Sequence, residues 1–174
     1  VTRLAFLPLV IGLSLSSLSA QGVSQEYRVK AAYLYNFLKF VEWPDDVAPG
    51  ALTICVAGRN PFGTLLHDLV RDQMVNDRPI EARIILEPEE GCHIIFVPEG
   101  AATEAYLRGA RGSAVLTVGE SSTFLEQGGI ANFYIDRGNV RFEINPAGAE
   151  RARIRISSRL LQLARIAERP RQAR

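Results

Sequence analysis

Few residues in this chain have side chains suited to catalysis or metal binding. Two histidines, His67 and His93, and two cysteines, Cys55 and Cys92, are all that its 174 residues supply of either type. Neither histidine has a serine, carboxylate or second histidine at the spacing of a Ser-His-Asp set or an H-E-x-x-H zinc helix. With the two cysteines paired to each other, a structural zinc site would lack ligands. The carboxylate pairs Asp45-Asp46 and Glu89-Glu90 sit in turn-rich stretches and read as solvated, not as acid/base pairs. The segment Gly58-Arg59-Asn60-Pro61-Phe62-Gly63 leads from a strand into a helix, where main-chain amides can receive an anion. Arg59, Asn60 and Gly63, with Gly119 at the end of a later strand, are therefore the candidate ligand loop. The segment lacks G-x-G-x-x-G and a Walker lysine, and a tight strand-to-helix turn accounts for it better. Arg153 and Arg155 alternate with Ile154 and Ile156, a basic ridge suited to an acidic partner or anionic headgroups; a solvated face accounts for it as well. These residues imply no enzyme, no metal and no cofactor.

The elements that must position these residues follow from hydrophobic spacing. The short apolar run Thr53 to Ala57, broken by Gly58 and Asn60-Pro61, reads as a strand buried on both faces, and Phe62 to Val70 has helical spacing. Strand, tight loop and helix open a doubly wound sheet. Further strands are expected over Ile80 to Leu86, Cys92 to Val97 and Ala114 to Val118, on either side of the first. A short helix is expected over Glu104 to Arg108. Ile130 to Ile135 and Val140 to Ile144 flank Asp136-Arg137-Gly138-Asn139, the signature of a hairpin. Ser157 or Ser158 caps a last helix, expected to run to Ala167. The fold class is a single-domain α/β, Rossmann-like, doubly wound and mostly parallel sheet with a C-terminal β-hairpin and helix. In the usual order of such a sheet the strands carrying Cys55 and Cys92 are neighbours. A bridge between them is one reading, and two buried free thiols are the other.

Gln25 to Val41 is expected to be helical, with Tyr27, Ala31, Leu34, Leu38 and Val41 on one stripe that Tyr33, Phe37 and Phe40 widen. Pro44 is expected to stop it. So broad an apolar face needs a cover, either the sheet or a second protein. Tyr33, Phe37 and Trp43 are the candidate partner or dimer interface, with an ordinary core helix as the alternative.

The first 22 residues have the layout of a secretory signal peptide: Arg3, an apolar Leu4 to Leu18, then small residues through Gly22. The apolar run is shorter than the roughly 20 residues that span a bilayer. The expected division is thus a signal peptide over 1–22 and one domain over 23–174. Export favours pairing of the two cysteines. The net charge of +1 gives no field that would gather nucleic acid, although from Arg151 onward eight arginines stand against one acid, Glu168.

Several stretches, in order, resemble a known family: VKAAYLYNFLKFVEWP from Val29 to Pro44, ICVAGRNPFG, CHIIFVP, VLTVGE, FLEQGG, VRFEIN, and ISSRLLQLAR ending at Arg165. Together they are similar to the YfiR family of bacterial periplasmic proteins across essentially the whole chain after residue 22. The resemblance implies a periplasmic repressor that lowers cyclic-di-GMP synthesis by contact with an inner-membrane diguanylate cyclase of YfiN type. It also implies sequestration by a YfiB-type outer-membrane lipoprotein, a homodimer, and a disulfide at the positions of Cys55 and Cys92. A second family disulfide near the Gly-Gly segment has no cysteines here. The competing reading is a periplasmic small-ligand-binding or sensor-input domain serving a transporter or sensor kinase. A hydrolase is a third.

Overall fold

In the computed structural model, residues 23–44 and 50–167 are described. The proposed signal peptide and Asp45-Asp46 lie outside them.

Helix α1 (Gln25–Phe40) starts at Ser24, whose side chain accepts from the Tyr27 amide, a standard N-cap that satisfies one free donor. It ends at Phe40, before the prolyl restriction is reached. Val41 turns extended because β1 (Val41–Glu42) pairs antiparallel with β9 (Arg155–Ile156). β2 (Leu52–Ala57) has all six residues buried, as its unbroken apolar run requires. Then follow α2 (Leu65–Val70), β3 (Met74–Val75), β4 (Arg78–Ile85), β5 (Ile94–Val97), α3 (Thr103–Gly109) and β6 (Leu116–Gly119). β7 (Ala131–Asp136) and β8 (Asn139–Ile144) form the expected hairpin. Its turn residues Arg137 and Gly138 both have positive φ, +48° and +78°, the conformation that matches strand twist in a two-residue loop.

The main sheet has eight strands in the order β10-β8-β7-β6-β5-β2-β4-β3, where β10 is Arg165–Ile166. β4, β2, β5, β6 and β7 are parallel. The chain leaves β2 toward β4 and returns on its other side to β5, the switch point of a doubly wound sheet. One face is covered by α1 and α2, through Leu34, Phe37, Leu38, Leu66 and Val70 against Ile54, Phe96, Phe133 and Phe142. The other is covered by α3 and Phe124, against Cys55, Ile95 and Val97. Fully burying each large side chain contributes roughly 1.5–3 kcal/mol.

Several elements depart from expectation. The last helix, α5 (Ser158–Leu163), stops short of Ala167, because Ala164 is extended and β10 joins β8. Arg165 fixes that turn: its Nε donates to Glu143 on β8 at 3.0 Å and its guanidinium stacks on Tyr134 at 4.1 Å. α4 (Pro146–Arg151), capped by Asn145, and the two-residue strands β1 and β9 are too short to leave a period.

Candidate functional site

In a doubly wound fold, ligands bind outside the carboxyl ends of the strands at the switch point. Beside that point, the chain's own side chains pack over the carboxyl ends of β5 and β6. Glu120 follows β6 directly, and its side chain is 6% exposed. Its Oε2 accepts from Lys30 Nζ at 2.6 Å, while its Oε1 accepts from the Tyr27 hydroxyl at 3.0 Å and the Glu99 amide at 2.8 Å. Lys30, on α1, is itself 5% exposed and also donates to Glu26 one turn earlier. The ammonium lies 4.6 Å from the Tyr27 ring centre. Tyr27 packs edge-on against Phe62, which packs edge-on against Phe96. Burial, and next the Glu120 carboxylate, hold the Tyr27 phenol well above its ordinary pKa. The first turn of α1 is thereby pinned across the carboxyl ends of β5 and β6 by charge and rings together.

The candidate loop braces itself. Asn60 accepts from the Phe62 amide at 2.9 Å and donates to the Gly63 carbonyl at 2.7 Å, an Asx turn. The Gly58 amide donates to Ile85 at 2.8 Å. Arg59 is exposed. Asn60 and Gly63 border a cleft of about 250 Å³ that extends toward His67 and Arg83, and Gly119 is not part of it. A β-carbon on Gly119 would sit 2.2 Å from the Phe124 ring, so that glycine makes room for a buried phenylalanine. Gly119→Ala should therefore cost about 1–3 kcal/mol through overpacking, seen as a lower urea midpoint; an unchanged midpoint would show that Phe124 can step aside.

The remaining candidates fall in separate places. Cys55 and Cys92 form a disulfide with Cα atoms 5.8 Å apart, which decides between the two readings of the cysteines. Phe37 is 1% exposed and stacks on Phe133. It belongs to the core and offers no surface, because β7 and β8 supply the cover that its helix needs. Tyr33 is half-buried against Phe133 and Phe142, and Trp43 is half-buried against His93. Arg155 pairs with Glu42 across the β1–β9 ladder at 2.8 Å. Arg153 lies in a left-handed turn at φ +57°, and both arginines are exposed on either side of buried Ile154. His67 is an exposed helix residue beside Asp68. Among the described residues, no group of three His, Cys, Asp or Glu side chains could hold a metal ion.

Two features had weak signals in sequence. The Glu26/Lys30 spacing of four announces a helix-surface pair, with no hint of the distant Glu120. Ile84 and Leu86, 53% and 81% exposed at the β4 edge, break the alternation that would bury them; three apolar residues in a row, Ile84-Ile85-Leu86, were the only sign.

No curated protein matches the chain. A crystal structure of a conserved domain protein from Vibrio cholerae O1 biovar El Tor strain N16961 is similar, with a TM-score of 0.53 and 14% identity. That match covers 79% of this chain and only 60% of the other, and it speaks to the fold alone. The family model described as YfiR/HmsC-like matches residues 27–165, a span that runs from Tyr27 in the pinned first turn of α1 to Arg165 on β10. The chain belongs to the YfiR/HmsC-like family.

Proposed function

We propose that this protein is a periplasmic regulatory protein that represses an inner-membrane diguanylate cyclase of YfiN type by direct contact and so lowers cyclic-di-GMP. Family membership supports a periplasmic, non-catalytic role in that pathway. The observation that carries the reading furthest is the packed cluster over the ends of β5 and β6. Over the carboxyl ends of β5 and β6, Tyr27, Phe62, Lys30 and Glu120 pack against one another, so that stretch of the strand ends offers surface for recognition. The same observation weighs against the small-ligand alternative. A YfiB-type lipoprotein that sequesters the repressor, and a homodimer, complete the proposal.

Tyr33 and Trp43, each half-buried, are the proposed contact residues. Deleting the protein should raise cellular cyclic-di-GMP several-fold, and pull-down from membranes should recover a cyclase. Trp43→Ala, with far-UV circular dichroism confirming its fold, should lose most of that recovery and reproduce the deletion. Unchanged cyclic-di-GMP on deletion would refute the function; full repression by folded Tyr33→Ala and Trp43→Ala variants would remove these residues from the interface.

A further inference from the structure

His93 is 4% exposed and stands at the entrance to β5, directly after the bridged Cys92. Its main chain is locked on both sides: its amide donates to Thr53 and its carbonyl accepts from Leu116, each at 2.9 Å. Its ring is held differently. Nδ1 lies 3.2 Å from the Thr53 amide nitrogen, and Nε2 lies 3.0 Å from Arg78 Nη2. Both neighbours are donors only. A neutral imidazole can accept from one of them, and an imidazolium can accept from neither. The guanidinium is not free to withdraw, since Arg78 Nε donates to the Gly50 carbonyl at 2.7 Å. The third side of the ring is closed by Trp43, edge-on at 5.5 Å between ring centres.

The charged groups around the ring are unequal. Arg78, from β4, is in contact with it. Among the described residues, β2 presents the Thr53 main chain and the segment after β1 presents the Trp43 indole. Among the described residues, Glu89, which pairs with Arg83 at 3.5 Å, and Glu90 border with His93 a solvent-open cleft of about 580 Å³. Asp45 and Asp46 lie outside the described residues. Burial, and then the Arg78 charge, push the ring's pKa down from 6.5 to about 4. The packed state is therefore favoured above pH 6.5, loses ground as pH falls toward 4, and loses no more below that.

We propose that His93 is an acid-operated latch: when it takes a proton, the ring leaves the donors of Thr53 and Arg78, turns toward Glu89 and Glu90, and frees the Trp43 corner while the sheet stays intact. The hinge is the side chain, because the main-chain bonds of His93 belong to the ladder and the disulfide ties β5 to β2. The latch would let an acidified medium change the surface around Trp43. It stands whether or not that surface binds a cyclase.

Trp43 is the single tryptophan of the chain, so its emission reports on this corner alone. Titration of the purified protein from pH 7.5 to 3.5 should shift the emission maximum reversibly to the red, with far-UV circular dichroism constant. His93→Gln, which cannot take the proton, should show no shift over the same range. In wild-type protein, the ring resonances of His93 followed by NMR should titrate with the same midpoint as the emission. The proposal is overturned by an emission maximum that does not move, by a shift that persists in folded His93→Gln, by an emission midpoint apart from that of the His93 ring, or by a shift that coincides with loss of helix and strand signal.

Discussion

Glu120→Ala will destabilise the protein by about 3–5 kcal/mol, the range measured when one partner of a buried ion pair is removed. The substitution strands Lys30, whose side chain is 5% exposed, and takes the acceptor from the Tyr27 hydroxyl and the Glu99 amide. Glu26 remains beside the ammonium and, although its own side chain is 42% exposed, compensates in part, so the loss falls toward the lower end. Lys30→Met should cost less. Glu120 would keep two neutral donors, and an unbranched apolar chain fits where the lysine stem lies. The double variant should therefore be more stable than the sum of the single losses predicts. A double-mutant cycle in urea measures this directly, and coupling above about 1 kcal/mol is expected for groups in direct contact. Additivity within about 0.5 kcal/mol would mean that the pair does not pin α1 to the sheet.

Replacing both Cys55 and Cys92 with alanine will cost about 4 kcal/mol on the chain-entropy view, in which a cross-link narrows the unfolded ensemble. The bridge spans a sequence separation of 37 residues, and both cysteines are buried. At this chain size, that corresponds to a fall in Tm of roughly 10 °C. Calorimetry of the variant against the oxidised protein tests it. A difference below about 1 kcal/mol would show that the neighbouring ladder, not the bridge, holds β2 to β5. Some fold loss at the His93 end is also expected, since Cys92 anchors the residue before it.

The parallel core was legible because β2 and β5 are buried on both faces and carry unbroken apolar runs that only a covered strand tolerates. The β7–β8 hairpin was legible from its turn chemistry and from the alternation of Val140, Phe142 and Ile144. What escaped depended on distance. Phe37 has the same helical spacing whether a partner or the sheet covers it, and only the placement of Phe133 decides. Glu120 sits 90 residues from Lys30, and nothing near either residue announces the other. The tail misled for a related reason. Ala164 and Ala167 continue a helical stripe, yet Glu143 draws Arg165 into the sheet and the chain extends. At the candidate loop, composition left a ligand site open but favoured a tight turn, and Asn60 closes such a turn on Phe62 and Gly63. Local chemistry was readable there; whether the space above it is vacant is a property of the whole chain.

The pinning of α1 also bears on how the molecule comes into being. Among the described elements, a ribosome delivers this helix before the others, but Tyr27 meets Glu120 93 residues later, and Phe37 waits longer still for Phe133 and Phe142. Until then its aromatic stripe has nothing to lie against, and a sheet of such high contact order closes slowly. The nascent chain should therefore remain pliable until nearly all of it has been made, with its oiliest segment in need of a chaperone's shelter. A polypeptide that cannot fold early is one that can still be threaded through a narrow pore.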